Sequence, residues 1–164
     1  MSGAGAPAGP TPDGAGLRVA VVVTQWHAEI TDALLAGAER ALLDCGVVDT
    51  TTVRVPGAFE LPIVAAQLLT THDAVIALGV VIRGGTPHFE YVCDAATSGL
   101  ARVALDSAKP VGFGLLTCDD EAQARDRAGL PGSSEDKGRE AVLAAVETAV
   151  TLRSLRHPAQ RLGF

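Results

Sequence analysis

The chain has 164 residues, nearly half of them apolar, and a formal net charge of −6. That length suits one domain with a full-sized core, and the negative balance argues against a nucleic-acid partner, which needs a basic footprint. A small anionic ligand is not excluded, because a few local donors bind an anion against the overall charge. No apolar run reaches membrane-spanning length, and the N-terminus has neither a basic n-region nor an apolar h-region. Cys45, Cys93 and Cys118 form no CxxC pair and no His/Cys ladder. The expectation is therefore a cytoplasmic protein with reduced thiols, no metal and no membrane association.

Residues 1–16 are rich in Gly, Ala and Pro and read as a disordered or loosely attached arm. A β-branched apolar run at 17–23 predicts a buried strand. Apolar residues at helical spacing over 28–43 predict a helix that stops before Gly46. Residues 51–55 read as a second strand, Pro56 and Gly57 as a turn, and 60–70 as a helix that tolerates Pro62 in its first turn. A third strand is expected at 73–79, a loop at 80–88, a long amphipathic helix at 89–107 and a fourth strand at 110–116. Helices at 120–128 and 135–155 flank a turn at 129–134. The tail 157–164, with Pro158 and Gly163, is expected to fray, which leaves 17–156 as the domain proper.

Strands alternating with helices imply right-handed βαβ units and a parallel sheet. The simplest α/β arrangement is a three-layer αβα sandwich. It has a flavodoxin-like four-stranded parallel sheet, order 2-1-3-4, with helices on both faces. In such a sheet ligands bind beyond the carboxyl ends of the strands, where the strand order reverses. Functional residues are thus expected at 25–27 and 80–88, flanked by the second and fourth loops.

Unusual residues fall in those loops. Trp26, the single tryptophan, follows the first strand. It reads equally as an anchor against the sheet edge or as a flat face for stacking a planar ring. In the loop after the third strand, Gly84 and Gly85 let backbone N–H groups approach an anion and Thr86 adds a hydroxyl. The next helix contributes its positive end. An isolated Gly-Gly is more often a plain turn, and this loop is neither a P-loop nor a dinucleotide fingerprint. His88 opens that helix, where an imidazole beside a ligand crevice is suited to proton transfer. His27 is local to the same crevice, His72 precedes a strand at the opposite edge, and His157 lies in the tail. The segment Pro56-Gly57-Ala58-Phe59-Glu60 offers backbone N–H groups and a carboxylate for hydroxyls, although a helix start with a favourably placed acid explains it as well. Taken singly, Arg127 and Lys137 read as surface charges.

In combination these segments resemble the lumazine synthase family from about residue 17 to 155. The most specific stretch is Gly79-Val80-Val81-Ile82-Arg83-Gly84-Gly85-Thr86-Pro87-His88-Phe89-Glu90-Tyr91-Val92. It is joined by Gly57-Ala58-Phe59-Glu60-Leu61-Pro62, by Gln123-Ala124-Arg125-Asp126-Arg127-Ala128-Gly129 and by Asp136-Lys137-Gly138. The resemblance implies a cofactor-independent transferase of riboflavin biosynthesis. It would condense 5-amino-6-(D-ribitylamino)uracil with 3,4-dihydroxy-2-butanone 4-phosphate to give 6,7-dimethyl-8-ribityllumazine, phosphate and water.

By similarity, Trp26 would stack on the pyrimidine, and the backbone of Val80, Val81 and Ile82 would hold the polar edge of its ring. Ala58, Phe59 and Glu60 would hold the ribityl chain. Gly85, Thr86 and Arg127 would hold the phosphate, and His88 would move protons. Phe113 and Lys137 also match site positions, and the family brings Phe113 and Arg127 from a neighbouring subunit. A homopentamer with active sites between subunits is therefore implied. The 128–136 segment lacks the short Gly-Thr-Lys-type turn of members that form sixty-subunit capsids, which points to pentamers only. Two rival readings remain. An archaeal-type riboflavin synthase on the same fold would not need the Gly85, Thr86 and Arg127 set, and a non-catalytic flavin or lumazine binder or shell protein would not need His88.

Overall fold

The computed structural model describes residues 9–156; most of the expected arm and the tail 157–164 lie outside them. The strands are β1 (Arg18–Thr24), β2 (Asp49–Val55), β3 (Ala74–Ile82) and β4 (Val111–Cys118), all parallel, in the order 2-1-3-4. The helices are α1 (Ala28–Asp44), α2 (Leu61–Leu68), α3 (His88–Ser107), α4 (Glu121–Asp126) and α5 (Lys137–Arg156), and one turn of 3-10 helix (Ala58–Glu60) leads into α2. This is the three-layer α/β sandwich of the flavodoxin-like type.

Strand alternation sorts the core into two halves. Val19, Val21, Val23, Ile76, Leu78 and Val80 point to one face, where Ile30, Leu34 and Ala38 of α1 and Val142, Ala145 and Val146 of α5 cover them. Ala20, Val22, Val75 and Ala77 point to the other, under Leu61 and Ala65 of α2 and Ala96 and Leu100 of α3. Because β1 and β3 are covered on both faces, they are continuous apolar runs. The edge strand β2 instead keeps exposed polar residues among its threonines. Small residues set the layer spacing. A Cβ on Gly138 would lie 2.0 Å from the Leu34 carbonyl oxygen, so the close approach of α5 to α1 depends on glycine.

The structure corrects several boundaries. β3 does not stop at Gly79: Val80, Val81 and Ile82 continue the strand, paired with Leu116, Thr117 and Cys118. Gly79 reads as a stop in a sequence, but here it is an extended residue whose missing Cβ makes room for Thr24. A methyl there would come within 2.8 Å of the Thr24 side chain. The helix expected at 60–70 is the 3-10 turn followed by the shorter α2. The helix expected at 120–128 is the shorter α4, capped by Asp120, whose carboxylate accepts from the Gln123 N–H at 2.8 Å. α5 starts two residues later than expected, because Asp136 forms an isolated bridge with Ala128 and accepts from the Arg139 N–H at 2.9 Å. Between α4 and α5, Gly129 (φ 73°) and Gly132 (φ 90°) supply the left-handed turns.

Candidate active site

A cleft of about 360 Å³ opens at the carboxyl ends of β1 and β3, between the 3-10 turn and the start of α3. It is lined by Thr24, Trp26, His27, Gly57, Ala58, Phe59, Glu60, Val80, Val81, Ile82, His88 and Val92. The position is the one expected from strand order alone: β1 and β3 are neighbours, and the chain leaves β1 toward β2 but leaves β3 the opposite way, toward β4.

Each wall has a local cause. β1 ends at Thr24, and His27 then takes a left-handed backbone (φ 55°), a costly conformation for a non-glycine residue. Its carbonyl accepts from the Ile30 and Thr31 N–H groups as α1 begins. Two 2.7 Å contacts from the Arg125 guanidinium to the Glu29 carboxylate tie α4 to that first turn of α1. Trp26 is 68% exposed, so the bulk of its indole is not consumed as a core anchor. The ring edge lies beside Gly57, where a Cβ would be 3.7 Å from Cδ1 and 3.8 Å from Nε1. Phe59 is likewise exposed, while Ala58 is buried beneath it. Thr24 lies at the floor, 1% exposed, with a buried hydroxyl that has no hydrogen-bond partner among the described residues.

A second groove of about 350 Å³ adjoins the first at the start of α3. It is lined by Arg83, Gly84, Gly85, Thr86, Pro87 and Glu90. The glycines here face open space, since a Cβ at Gly84 or Gly85 would meet nothing within 4 Å. Pro87 precedes α3 without a side-chain cap, so the first N–H groups of this helix are free of a capping side chain. The positive end of a long helix and an open Gly-Gly-Thr segment thus share one groove.

The sequence-predicted residues divide accordingly. Trp26, Ala58, Phe59, Glu60, Val80, Val81, Ile82 and His88 meet in the cleft, and Gly85 and Thr86 meet in the groove. Phe113, Arg127 and Lys137 line neither. Phe113 is in mid-β4 opposite Ala77, about half exposed. Arg127 caps α4, donating to the Gln123 carbonyl at 2.9 Å, with Nε 3.7 Å from Glu135. Lys137 Nζ is 2.7 Å from Glu140 and 3.4 Å from the same Glu135. Burial pulls its ammonium pKa down, but the hydrogen bonds and charges of Glu140 and Glu135 together outweigh it and leave the pKa raised. Sequence reasoning overlooked Thr24 and Val92 as lining residues. Thr24 shares the inward parity of Ala20 and Val22 one step beyond them, and Val92 lies one helical turn after His88; both signals were available. No group of three or more His, Cys, Asp or Glu residues is placed to hold a metal ion among the described residues.

The family model for 6,7-dimethyl-8-ribityllumazine synthase matches residues 16–153. The chain belongs to the 6,7-dimethyl-8-ribityllumazine synthase family. Among curated proteins of that name, the one from Frankia casuarinae is 69% identical over 156 residues, covering 94% of this chain and 98% of its own. The one from Kineococcus radiotolerans is 66% identical, covering 94% and 96%. The one from Saccharopolyspora erythraea is 57% identical over 164 residues, covering 100% and 99%. As a lumazine synthase family member, the chain is a transferase of riboflavin biosynthesis acting on small molecules. No helix among the described residues is long and apolar enough to cross a membrane.

Proposed function

We propose that the cleft and groove together condense 5-amino-6-(D-ribitylamino)uracil with 3,4-dihydroxy-2-butanone 4-phosphate to form 6,7-dimethyl-8-ribityllumazine. The observation that carries this reading is the junction of two unlike surfaces. A cleft with an exposed indole and a strand-end backbone adjoins a glycine-lined helix N-terminus, with His88 at the boundary. In this assignment Trp26 stacks on the pyrimidine, and the Val80, Val81 and Ile82 backbone pairs with its polar edge. Ala58, Phe59 and Glu60 hold the ribityl hydroxyls. Gly85 and Thr86 receive the phosphate, joined by Arg127, with Phe113 and Lys137 completing the site.

The chemistry needs little more than alignment. The 5-amino group attacks the ketone and loses water to form an imine. Elimination then expels the phosphate, and the ribityl-bearing nitrogen closes the ring with loss of a second water. Holding two substrates in reacting geometry supplies up to about 7–11 kcal/mol of the barrier. His88, placed between ring and phosphate, carries the protons; such a group typically contributes about 10²–10⁴-fold. The phosphate groove disfavours the riboflavin synthase reading, since dismutating two lumazines releases no phosphate.

The assignment of Phe113, Arg127 and Lys137 requires a second copy of the chain, because they line neither depression of their own subunit. A homopentamer with sites between subunits supplies them. Ile63, Tyr91, Leu105 and Phe113 stand exposed on the α2/α3 side of the sheet, apolar surface that a neighbour would cover. A cytoplasmic location accords with Cys45, Cys93 and Cys118 being unbridged.

Mixing the two substrates with purified protein tests the reading. Lumazine absorbance should rise in step with released phosphate, and the pyrimidine alone should quench Trp26 fluorescence. Enzyme-independent rates, or fluorescence unmoved by the pyrimidine, would overturn it.

A further inference from the structure

Arg83 follows the last residue of β3 and has no role in the assignment above, yet its side chain reaches Asp119, Glu90 and Phe89. Its backbone N–H donates to the Cys118 carbonyl at 2.9 Å, which extends the β3–β4 ladder by one residue. Its Nε donates to Asp119 at 2.8 Å, and its Nη1 pairs with Glu90 in the first turn of α3. The guanidinium carbon lies 4.2 Å from the centre of the Phe89 ring. A single planar group therefore ties the end of β4, the start of α3 and the end of β3 together. The segment 84–87 is the arc that spans the tie.

We infer that Arg83 is a positioning residue for the phosphate groove: its guanidinium closes the 84–87 segment into a ring of fixed shape and, shared with Asp119, offsets part of the charge of the carboxylate that Glu90 contributes to the groove wall. The inference rests on the reading that the groove receives phosphate.

Two physical arguments support it. The first is entropic. A Gly-Gly pair is the most freely rotating dipeptide a loop can contain, and an open one must be ordered each time a ligand binds. Fixing both ends of the arc beforehand removes part of that cost. A lysine could not do the same, because it lacks the fork that reaches two carboxylates and the flat face that stacks on Phe89. The second is electrostatic. Glu90 lines the groove itself, and a bare carboxylate there would repel a phosphate dianion. Hydrogen bonding from Arg83 holds the Glu90 and Asp119 carboxyls below their ordinary pKa. A depressed carboxylate keeps its partner above its ordinary pKa and loses it only as pH falls through the lowered one. The tie is thus in one charge state across neutral pH. Single exposed ion pairs contribute little, but a three-element network with a stacked ring is the case in which surface charges matter.

The test is steady-state kinetics with each substrate varied, together with inhibition by inorganic phosphate. R83A should raise both the KM for the butanone phosphate and the inhibition constant of phosphate by about three- to tenfold, with the pyrimidine KM within twofold. The effect should be constant from about pH 6 to 8. R83K, a milder variant should R83A fold poorly, should raise them less. The decisive variant is R83A/E90Q, which removes the exposed carboxylate as well and should recover at least half of the loss on a logarithmic scale. A role confined to loop shape would leave the double variant as weak as R83A, and that result overturns the electrostatic part. R83A with wild-type values for both phosphate constants overturns the whole inference. Wild-type protein that neither forms lumazine nor responds to phosphate would instead refute the functional reading beneath it.

Discussion

Arg127 and His88 have separable roles in the proposed reaction, and their surroundings differ to match. Arg127 shares Glu135 with Lys137, which also pairs with Glu140, so its guanidinium belongs to a charge-balanced cluster in which its Nε stands 3.7 Å from the nearest carboxylate oxygen. His88 lines the cleft as the first residue of α3, at the boundary of the two depressions. Arg127→Ala should chiefly raise the KM for the butanone phosphate, since a charge-assisted contact worth about 1.5–3 kcal/mol is lost. The pyrimidine KM should change much less. His88→Ala should lower turnover by about tenfold to a few hundredfold and leave both KM values nearly intact. Its loss falls at or below the usual acid–base range because aligned partners form the imine partly unaided. Kinetics with each substrate varied in turn separate the two roles. Wild-type turnover for His88→Ala from about pH 6 to 8 would remove histidine as the proton carrier.

At the scale of elements, the α1/α5 layer depends on how closely α5 approaches the sheet and α1. Gly112 and Gly138 admit that approach: a Cβ at Gly112 would lie 2.4 Å from the Ala141 carbonyl oxygen, and one at Gly138 would lie 2.0 Å from that of Leu34. These obstacles are backbone atoms, which cannot rotate aside as a flexible side chain would. Gly138→Ala gains helix propensity, worth about 1 kcal/mol. It must also push α5 away from α1, and overpacking of this kind costs about 1–3 kcal/mol or more. The outcome should be net destabilisation, read as a lower denaturation midpoint with little change in the denaturant slope. A variant as stable as wild type would show that the two helices can separate freely. Lys137 begins α5, so the same variant should also raise the KM for the phosphate substrate.

For the whole molecule, the charges and the apolar surface are distributed unequally. On the α1/α5 side, ion pairs run between elements, Arg40 to Asp136 and Arg139 to Asp44. On the α2/α3 side, α3 buries only Ala96 and Leu100 over its twenty residues and leaves Tyr91 and Leu105 exposed. A twenty-residue helix with so little of its length in the core has apolar surface left for another subunit. Light scattering at working concentration should give five subunits. A fully active monomer would rule out a shared site, and a sixty-subunit particle would refute the reading of the 128–136 segment as a turn unsuited to capsid assembly.

The periodicity of the chain by itself determined the element types, the strand order and the end of the sheet at which a ligand site should lie. The reason is that burial on both faces leaves β1 and β3 uniformly apolar, while helices alternate at their own spacing. The motifs around Gly57 and His88, together with Trp26 after the first strand, were enough to place eight residues in one cleft. Boundaries were decided only in three dimensions. Gly79 looked like the end of a strand because the sequence does not show that Thr24 occupies the volume its side chain would need. Residues 135 and 136 looked helical because nothing local shows that Asp136 pairs with Ala128. The same limit applies to Arg83. As a letter in a loop it is an ordinary surface cation, and its reach to Glu90, Asp119 and Phe89 exists only because the sheet brings the ends of β3 and β4 beside the start of α3. Contacts between residues remote in sequence depend on backbone geometry that no local pattern encodes.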